Sequence, residues 1–429
     1  MKNFKYVFLA SLTLVFNQTL PAQQMSLKEA ISKALNQNTN LTKNLNNLNV
    51  TQEALKTAKA AILPTVGVSG GYSWKTTGGS GVSSSLSAKS SNWSMGIGGG
   101  VTLYDGLSTF ENINQKQNNL NSAKSDLEKL KQDVILQTVN YYLTIVSCNK
   151  LLDFQKEDLK YNQALLEKIN QMYAIKSAAV TDVFSQEAQT SNSELSYLQA
   201  ENNYEKAKVT LLNFLALDVN ADYTFIVDRS DVPDSTMIPA EFNNLFEIAL
   251  SNRQDFKSAN AKVKAAENIL NSSKGANYPK ITGNYDLGTS AGSVQDLFSQ
   301  RTFSLGVNLS YPIFSQYAVE SGIESAEIQF KNSKEDLSAL ERQVKTDVKN
   351  TFLDMETAGK QFEVAKKAQA SAEQSWKAKK ETYTLGAATY LDLQLSYNNY
   401  LQAKYTVISK EYGYLYSRFQ MIAALGKLL

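Results

Sequence analysis

The chain repeats itself, and this repeat constrains the fold more than any other feature of the sequence. Residues 103–215 align without a gap with residues 313–425, at a constant offset of 210 residues. Further upstream the offset becomes 215 residues, where Pro64 aligns with Pro279. A self-similarity of this length predicts a tandem duplication of one structural unit. The predicted segments are a first structural repeat at 24–216, a connector at 217–241 and a second repeat at 242–429.

Each repeat is predicted to contain a helix, two strands, a very long helix and a return helix, in that order. In the first repeat the opening helix is predicted at 25–61, the long helix from Gly106 to Tyr173 and the return helix at 182–216. The long stretch would span roughly 100 Å at about 1.5 Å per residue, which exceeds a normal globular domain and predicts an elongated assembly. The strands are predicted at about 62–74, 92–104, 278–288 and 301–312.

The strand segments alternate strictly between apolar and polar residues. In FSLGVNLSY (303–311) the odd-numbered residues are apolar or aromatic and the even-numbered ones are Ser, Gly or Asn. This pattern fits either a half-buried sheet on a soluble core or a transmembrane β-barrel with lipid outside and water inside. Aromatic residues near the strand ends, such as Trp74, Trp93 and Tyr311, favour the barrel. Four strands are too few to close a membrane barrel, so if these strands lie in a membrane the chain must oligomerise.

The long helical segments carry heptad repeats. Ile145, Leu152, Leu159, Leu166 and Tyr173 recur every seven residues. A period of seven predicts a left-handed coiled coil with a neighbouring helix, although ordinary bundle packing produces a similar stripe.

The N-terminal residues resemble a secretory signal peptide. Lys2 and Lys5 precede an apolar run, Tyr6–Phe16, and small residues follow before Gln23. A signal peptide at 1–23 predicts export from the cytoplasm, and the apolar run is too short to span a membrane as a helix.

The composition excludes several functional classes. The sequence contains no His and one Cys, Cys148, so His-based triads, His/Cys metal sites and internal disulfides are ruled out. Without the leader the formal charge is zero, which gives no support for nucleic-acid binding. No carboxylate pair stands in an apolar setting. We therefore predict neither catalysis nor a bound cofactor or metal, and interpret Cys148 as a small buried hydrophobic residue.

One motif occurs in both repeats at the predicted turn between the long helix and the return helix. In YTLGAATYLDLQLSYNNY (383–400), Gly386 is suited to ending a helix and Asp392 to capping the next one. The first repeat keeps Tyr173 and Asp182 but has Lys176 in place of the glycine. Lys176 predicts a first turn that is built differently or is looser.

Taken in order, these features resemble the TolC-type outer-membrane efflux proteins, the outer-membrane factors of tripartite efflux and secretion systems. The resemblance covers the whole chain after the leader and includes the phrases ILPTVGVSGGYSW and LSYPIF at the helix–strand junctions. It implies a mainly α fold with membrane β: coiled-coil hairpins and four strands per chain. In a homotrimer these would form a twelve-stranded transmembrane β-barrel continuous with an α-helical periplasmic barrel.

The resemblance also implies function and location. The protein would be a passive channel in the outer membrane of a Gram-negative bacterium, surrounded by outer-membrane lipid, with its helices in the periplasm. A periplasmic adaptor and an inner-membrane transporter would open it for efflux or type I secretion.

The family's tip features are only partly present. Some members narrow the entrance with two rings of aspartates; Asp392 matches the first ring, but Leu395 occupies the position of the second. Some members also latch the closed tip with a Tyr and an Arg; Tyr383 matches the Tyr, but Ala388 stands where the Arg would be. Asp182 and Asp392 are consistent with a gate and equally with plain helix capping. The predicted residues of the periplasmic tip are Tyr173, Lys176, Asp182, Tyr383, Gly386 and Asp392.

Two other interpretations remain open from the residues alone. A secreted or periplasmic coiled-coil scaffold would pack the strands on protein and would form no membrane pore. A periplasmic adaptor also carries a coiled-coil hairpin, but it would hold one hairpin, not two.

Overall fold

The computed structural model describes residues 23–77, 88–221, 223–226 and 242–428. The helices are α1 (Leu27–Gln37), α2 (Thr39–Ala60), α3 (Ser108–Ala174), α4 (Val180–Phe214), α5 (Phe242–Asn252), α6 (Gln254–Gly275), α7 (Ala318–Thr384) and α8 (Tyr390–Ala424). The strands are β1 (Gln23–Met25), β2 (Gly67–Thr77), β3 (Ala88–Tyr104), β4 (Tyr223–Phe225), β5 (Lys280–Ala291) and β6 (Thr302–Ser310). The predicted leader lies outside the described residues except for Gln23.

A mainly helical chain with few strands is confirmed. Among the described helices, none combines the length and the apolar character that a membrane-spanning helix requires. Two three-residue strands were not predicted: β1 pairs in parallel with β4, with Gln23 opposite Tyr223 and Met25 opposite Phe225. Strand β4 lies within the segment predicted as the connector.

The prediction of one continuous helix at 25–61 is wrong, because the chain breaks at Asn38. Asn38 has an extended backbone (φ −64°, ψ 122°), and its side chain accepts hydrogen bonds from the backbone N–H groups of Asn40 and Leu41. Asparagine is among the best N-cap residues, so α2 starts anew there. Arg253 has the same extended backbone (φ −61°, ψ 124°) between α5 and α6.

The two halves of the described chain share helix lengths and local backbone geometry. Helices of 11, 22, 67 and 35 residues occur in this order in each half. Residues with positive φ also occur at matching positions of the repeat. These pairs are Gly106 with Gln316, Leu107 with Tyr317, Lys176 with Gly386, and Ala216 with Gly426.

The chain divides into two compact units, each assembled from three segments. The first unit comprises Met1–Asn36, Thr138–Pro233 and Ala368–Tyr412, and it includes the β1·β4 pair and both hairpin turns between long and return helices. The second unit comprises Gln37–Gln137, Asp234–Lys367 and Gly413–Leu429, and it includes the four longer strands.

In the first unit, the buried side of α3 differs from the predicted heptad stripe. Ile145 is fully buried, but Tyr173 at the end of the stripe is 47% exposed, and the heptad leucines between them are only partly buried. Beyond Ile145 and its neighbour Val146, the residues of α3 that are buried along this stretch are Phe154, Asp158, Asn162 and Ile169. The heptad stripe therefore does not form the core within one chain.

The second unit has a hydrophobic core where α5, α7 and the end of α8 meet. Val344 on α7 and Val348 one turn further along are both fully buried there. Beside this core the Arg253 guanidinium lies 2.6 Å from Asp255 and 3.2 Å from Asp347. Burial acts to raise the pKa of Asp255, but the hydrogen bonds and charge of Arg253 outweigh it and lower that pKa.

The four longer strands form one antiparallel sheet in the order β2-β3-β5-β6. Its register aligns apolar residues across the strands: Ile97 pairs with Val68 and with Leu287, and Leu287 pairs with Phe303. This apolar face is not covered by other described residues, since Val68 is 73% exposed and Leu305 76% exposed. Strands β2 and β6 are the two edges of the sheet and each has one neighbour among the described strands.

Candidate functional site

The turn between α3 and α4 is a tight helix end. The N–H of Lys176 donates to the carbonyl of Tyr173 at 2.9 Å, and the N–H of Ser177 donates to that of Met172 at 2.8 Å. Lys176 itself has φ 60°, the left-handed conformation. This pair of hydrogen bonds is the Schellman motif, which satisfies the last free carbonyls of a helix.

The turn between α7 and α8 has the same geometry. The N–H of Gly386 donates to Tyr383 at 3.0 Å, the N–H of Ala387 donates to Thr382 at 2.8 Å, and Gly386 has φ 76°. The prediction of a differently built or looser first turn is therefore wrong. Lys176 adopts the glycine conformation, and the hydrogen bonds of the turn compensate for the strain of placing a Cβ there.

Because Lys176 lies in the left-handed region, Lys176→Gly is expected to stabilise the first unit by about 0.5–1 kcal/mol. The relief of left-handed strain, about 1–2 kcal/mol, exceeds the extra backbone entropy that glycine loses on folding. The measurement is the midpoint of thermal unfolding followed by circular dichroism. The matched control is Lys168→Gly in the interior of α3, which should destabilise by about 1 kcal/mol; equal losses in both variants would contradict the assignment.

Asp392 helps to start α8 and does not point free into solvent. Its carboxylate accepts hydrogen bonds from the N–H of Thr389 at 3.3 Å and from the Thr389 hydroxyl at 2.9 Å. In return, the N–H of Asp392 donates to that hydroxyl at 3.2 Å. This reciprocal arrangement is a capping box, with Thr389 as the N-cap. The Thr389 hydrogen bonds, with the charge of Lys379 at 3.9 Å, lower the pKa of Asp392.

Asp182 occupies the matching position at the start of α4 but has different partners. Ala179 is the N-cap there and offers no side-chain hydrogen bond. The Asp182 carboxylate accepts no hydrogen bond from any described residue. Burial, followed by the charge of Asp182, raises the pKa of Tyr383, and the same two causes raise the pKa of Tyr390 to about 12. Asp182 is therefore a free carboxylate between two tyrosines that stay neutral.

A cleft of about 760 Å³ lies between the two turns. Of the predicted tip residues, Asp182, Tyr383 and Gly386 line this cleft, together with Tyr390. Tyr173, Lys176 and Asp392 are not among the lining residues. The structure thus brings three of the six predicted residues together and separates the roles of the two aspartates.

The floor of the tip is a small core. Ile169, Val183 and Tyr390 are buried there, and Tyr383 packs against them. The Tyr390 hydroxyl donates to the side-chain oxygen of Gln186 at 2.8 Å. Both hairpin turns are therefore anchored to the same cluster within the first unit.

A buried polar network continues from Gln186, and sequence reasoning missed it. Gln186 donates to Asn162 at 3.0 Å, and Asn162 donates to the Asp158 carboxylate at 2.9 Å. The Tyr397 hydroxyl donates to the same carboxylate oxygen at 2.8 Å. Asp158 is only 4% exposed and Asn162 only 1%. No sequence signal singled out this pair, because the predicted packing stripe of α3 includes neither Asp158 nor Asn162.

An aromatic cluster covers the Asp158 end of this network. The ring of Tyr161 lies 4.2 Å from that of Tyr397, and Trp376 stacks on Tyr400 at 5.0 Å with an interplanar angle of 5°. The ammonium group of Lys380 lies 5.2 Å from the Trp376 ring centre. Such aromatic and cation–π contacts keep water from the carboxylate and stabilise the helix contacts.

No group of three His, Cys, Asp or Glu residues in the described part of the chain is placed to hold a metal ion. Burial raises the pKa of the Cys148 thiol, which makes it a poorer nucleophile. The described features are two turns of the same geometry, a carboxylate without a hydrogen-bond partner among the described residues, and the cleft between the turns.

Two long helical hairpins with an uncovered amphipathic sheet define the class of outer-membrane export channels. Within this class, the chain belongs to the outer membrane efflux protein family, whose sequence profile matches residues 30–217 and 245–427. This confirms the resemblance found in the sequence.

The chain is also similar to individual outer-membrane proteins. TolC of Escherichia coli strain K12 is 22% identical over 428 residues, covering 95% of this chain and 83% of that protein. TolC of Vibrio cholerae serotype O1 is 23% identical over 384 residues, covering 88% and 85%. The crystal structure of the outer membrane protein VceC from Vibrio cholerae matches with a TM-score of 0.81 at 16% identity, covering 93% of this chain and 96% of VceC.

The chain is therefore an outer-membrane efflux channel of a Gram-negative bacterium, with its helical part in the periplasm. It is a passive conduit and not an enzyme. Its family supplies the outer-membrane factor of tripartite efflux systems, whose other members are an adaptor and a pump.

Proposed function

We propose that three copies of this chain form a passive exit duct from the periplasm to the outside. Their strands β2, β3, β5 and β6 close into a twelve-stranded barrel through the outer membrane, and their helices form an α-helical barrel in the periplasm. A periplasmic adaptor and an inner-membrane transporter, of an efflux or type I secretion system, open the duct and supply the energy for transport.

The observation that carries this proposal is the uncovered sheet. Its apolar face is exposed on every strand, with Val68 at 73%, Ile97 at 47% and Leu305 at 76%, as a lipid-facing surface requires. Its edges β2 and β6 run in opposite directions, because the sheet has four antiparallel strands. Strand β6 of one copy can therefore continue the antiparallel ladder with β2 of the next, which removes the open edges that lipid does not tolerate.

The proposal includes the tandem duplication, with repeats at 24–216 and 242–429 joined by a connector at 217–241. Two separate family matches, at 30–217 and 245–427, support it, as do the equal helix lengths in the two halves. Since each repeat contributes two strands, three chains supply six repeats and twelve strands.

The test is the detergent-corrected mass of the purified protein. The expected value corresponds to three chains, with the protein requiring detergent. A single chain that is soluble without detergent would overturn the duct and favour the coiled-coil scaffold, in which the strands pack on protein. Recovery with the outer-membrane fraction is the control for correct export.

We further propose that the two turns form the gate of the duct, with Tyr173, Lys176, Asp182, Tyr383, Gly386 and Asp392 at its entrance. Asp182 acts as the charged lining residue, because its carboxylate is free and faces the cleft. Asp392 mainly holds the start of α8 through Thr389. Three copies of Asp182 at a narrow entrance would favour cations, as acidic rings do in channels.

Replacing both aspartates by alanine is expected to lower the preference for cations at the entrance, with most of the loss arising from Asp182→Ala alone. Asp392→Ala should instead weaken the start of α8, because it removes the acceptor of the Thr389 N–H and hydroxyl. The measurement is the reversal potential of single channels in a KCl gradient, and Glu187→Ala on the exposed side of α4 is the matched control. An unchanged conductance and reversal potential in the double variant would contradict the gate.

A further inference from the structure

The polar face of the sheet carries one acidic side chain in the four described strands, Asp286 in the interior of β5. Asp286 pairs with Gly98 on β3 and with Ser304 on β6, and its neighbours Tyr285 and Leu287 belong to the opposite, apolar face. Because successive residues of a strand point to opposite faces, Asp286 faces away from the apolar surface.

Glycines lie beside the carboxylate. A Cβ added at Gly98 would lie 2.7 Å from the Asp286 Oδ2 atom, and one at Gly288 would lie 3.1 Å from its Oδ1 atom. The carboxylate therefore lies along the sheet, over backbone that carries no side chain. Next to it is a shallow polar cleft of about 280 Å³, with Ser94, Ser290 and Thr302 among its lining residues.

The Asp286 charge is not neutralised within the described chain. Its carboxylate has no hydrogen-bond or ion-pair partner there. The basic residues on the same face, Lys280 and Lys75, stand near strand ends. Lys280 is six residues away along β5, a distance of roughly 20 Å at about 3.3 Å per residue. This separation exceeds the Debye length of about 10 Å in 0.1 M salt, so the charge of Lys280 has little effect at the carboxylate.

We infer that Asp286 makes the strand barrel itself selective for cations, as a second selectivity element separate from the helix turns. This inference rests on the proposed trimer, in which the polar face lines the water-filled interior. Three unpaired carboxylates then stand at the same level of the barrel, among Gly, Ser, Thr and Asn side chains that carry no charge. They concentrate small hydrated cations, and they repel anions and anionic solutes, along the last part of the exit route.

The test measures the permeability ratio of potassium to chloride for the full-length protein in planar bilayers. Reversal potentials are recorded across a KCl gradient at a mean concentration near 0.1 M. Asp286→Asn, which keeps the shape and removes the charge, is expected to reduce the ratio by at least about threefold, and Asp286→Lys to invert the preference toward chloride. The matched control is Asp296→Asn in the β5–β6 loop, which removes the same charge per chain and should leave the ratio within about 1.5-fold of the wild type.

Two comparisons separate this element from the turns and from the trimer proposal. The effect of Asp286→Asn should persist in the Asp182→Ala/Asp392→Ala background, and the wild-type ratio should move toward one in 1 M KCl, where charges are screened. A conducting trimer whose ratio is the same with and without the Asp286 charge overturns this inference and leaves the duct intact. A monomer that forms no conducting pore overturns both the duct and the inference.

Discussion

Replacing Asp158 by alanine is expected to destabilise the first unit by about 3 kcal/mol, one of the two largest effects predicted for a single substitution in this chain. The carboxylate is 4% exposed and accepts hydrogen bonds from Asn162 at 2.9 Å and from the Tyr397 hydroxyl at 2.8 Å. Its removal leaves the Tyr397 hydroxyl buried without an acceptor and opens a cavity beside it. An unsatisfied buried donor costs about 1–3 kcal/mol, and the lost hydrogen bonds to a charged group add to this.

The neighbouring residue provides the matched control. Glu157 also carries a carboxylate, and it lies 2.9 Å from Lys404, but its side chain is 72% exposed. Glu157→Ala should therefore cost less than about 1 kcal/mol. The measurement is thermal unfolding in detergent, with hydrogen exchange over α3 and α4 locating the loss. Equal shifts for the two variants would show that burial of the Asp158 network contributes nothing.

A second substitution sharpens this test. Tyr397→Phe in the Asp158→Ala background removes the unpaired hydroxyl, so it should recover part of the lost stability, because removing both partners of a hydrogen bond costs less than removing one. Tyr397→Phe alone should be destabilising by about 1 kcal/mol. If the double variant is less stable than Asp158→Ala, the hydrogen bond is not the source of the effect.

Much of the fold was predictable because it depends on periodicity. The long helix was predicted from Gly106 to Tyr173 and is found at Ser108–Ala174, and the return helix was predicted at 182–216 and is found at Val180–Phe214. The alternation of apolar and polar residues located the four strands in the same way, because a strand exposes its side chains with a period of two. Both signals are local and are repeated in each half of the sequence.

The packing between elements was not predictable in the same way. The heptad stripe that includes Leu159 suggested which side of α3 is buried, but the side that is buried within the chain includes Asp158 and Asn162. Polar residues on a packing face can be recognised only when their hydrogen-bond partners are known. Here those partners lie on α4 and α8. The repeat gave no help, since Ala368 and Ala372 occupy the matching positions of the second half.

The turn residues show a similar limit. Gly386 and Asp392 were correctly placed at a helix turn, but the capping partner Thr389 and the free state of Asp182 depend on atomic geometry. Lys176 in the left-handed conformation contradicts the local preference of its residue type. The surrounding structure imposes this conformation on Lys176. Residue preferences alone predict the left-handed conformation only for glycine, so they could not identify it here.

Replacing Gly106 by valine is expected to prevent the second unit from folding. Gly106 connects β3 to α3 with φ 67°, and a Cβ there would lie 2.3 Å from the backbone carbonyl oxygen of Gly275, the last residue of α6. Gly275 is equally constrained, since its own Cβ would lie 2.8 Å from the Gly106 carbonyl oxygen. The two chain segments meet backbone to backbone, so neither can give way as a flexible side chain would.

The contact around Gly106 also holds the start of α3 in place. Disrupting the contact would therefore remove several interactions together. The Ser108 hydroxyl donates to the Ser272 carbonyl at 2.7 Å, and the Asp105 carboxylate accepts from the N–H of Thr109 at 3.0 Å. Separating the two segments would break the Ser108–Ser272 bond as well, and would leave the Asp105–Thr109 bond without the α6 contact beside it. The expected loss of folding stability exceeds about 4 kcal/mol, a size that single substitutions reach only through a specific structural defect. Gly106→Ala should show a smaller loss of the same sign.

The matched control is Gly322→Ala in α7, where nothing lies within 4 Å of the added Cβ. That variant should be stabilised by about 0.5–1 kcal/mol, because alanine is the better helix former. The measurement is the amount of folded, detergent-extractable protein in the outer-membrane fraction, followed by its unfolding midpoint. Wild-type yield and midpoint for Gly106→Val would mean that the segments can separate, and the close approach to Gly275 would then have no role in holding β3, α3 and α6 together.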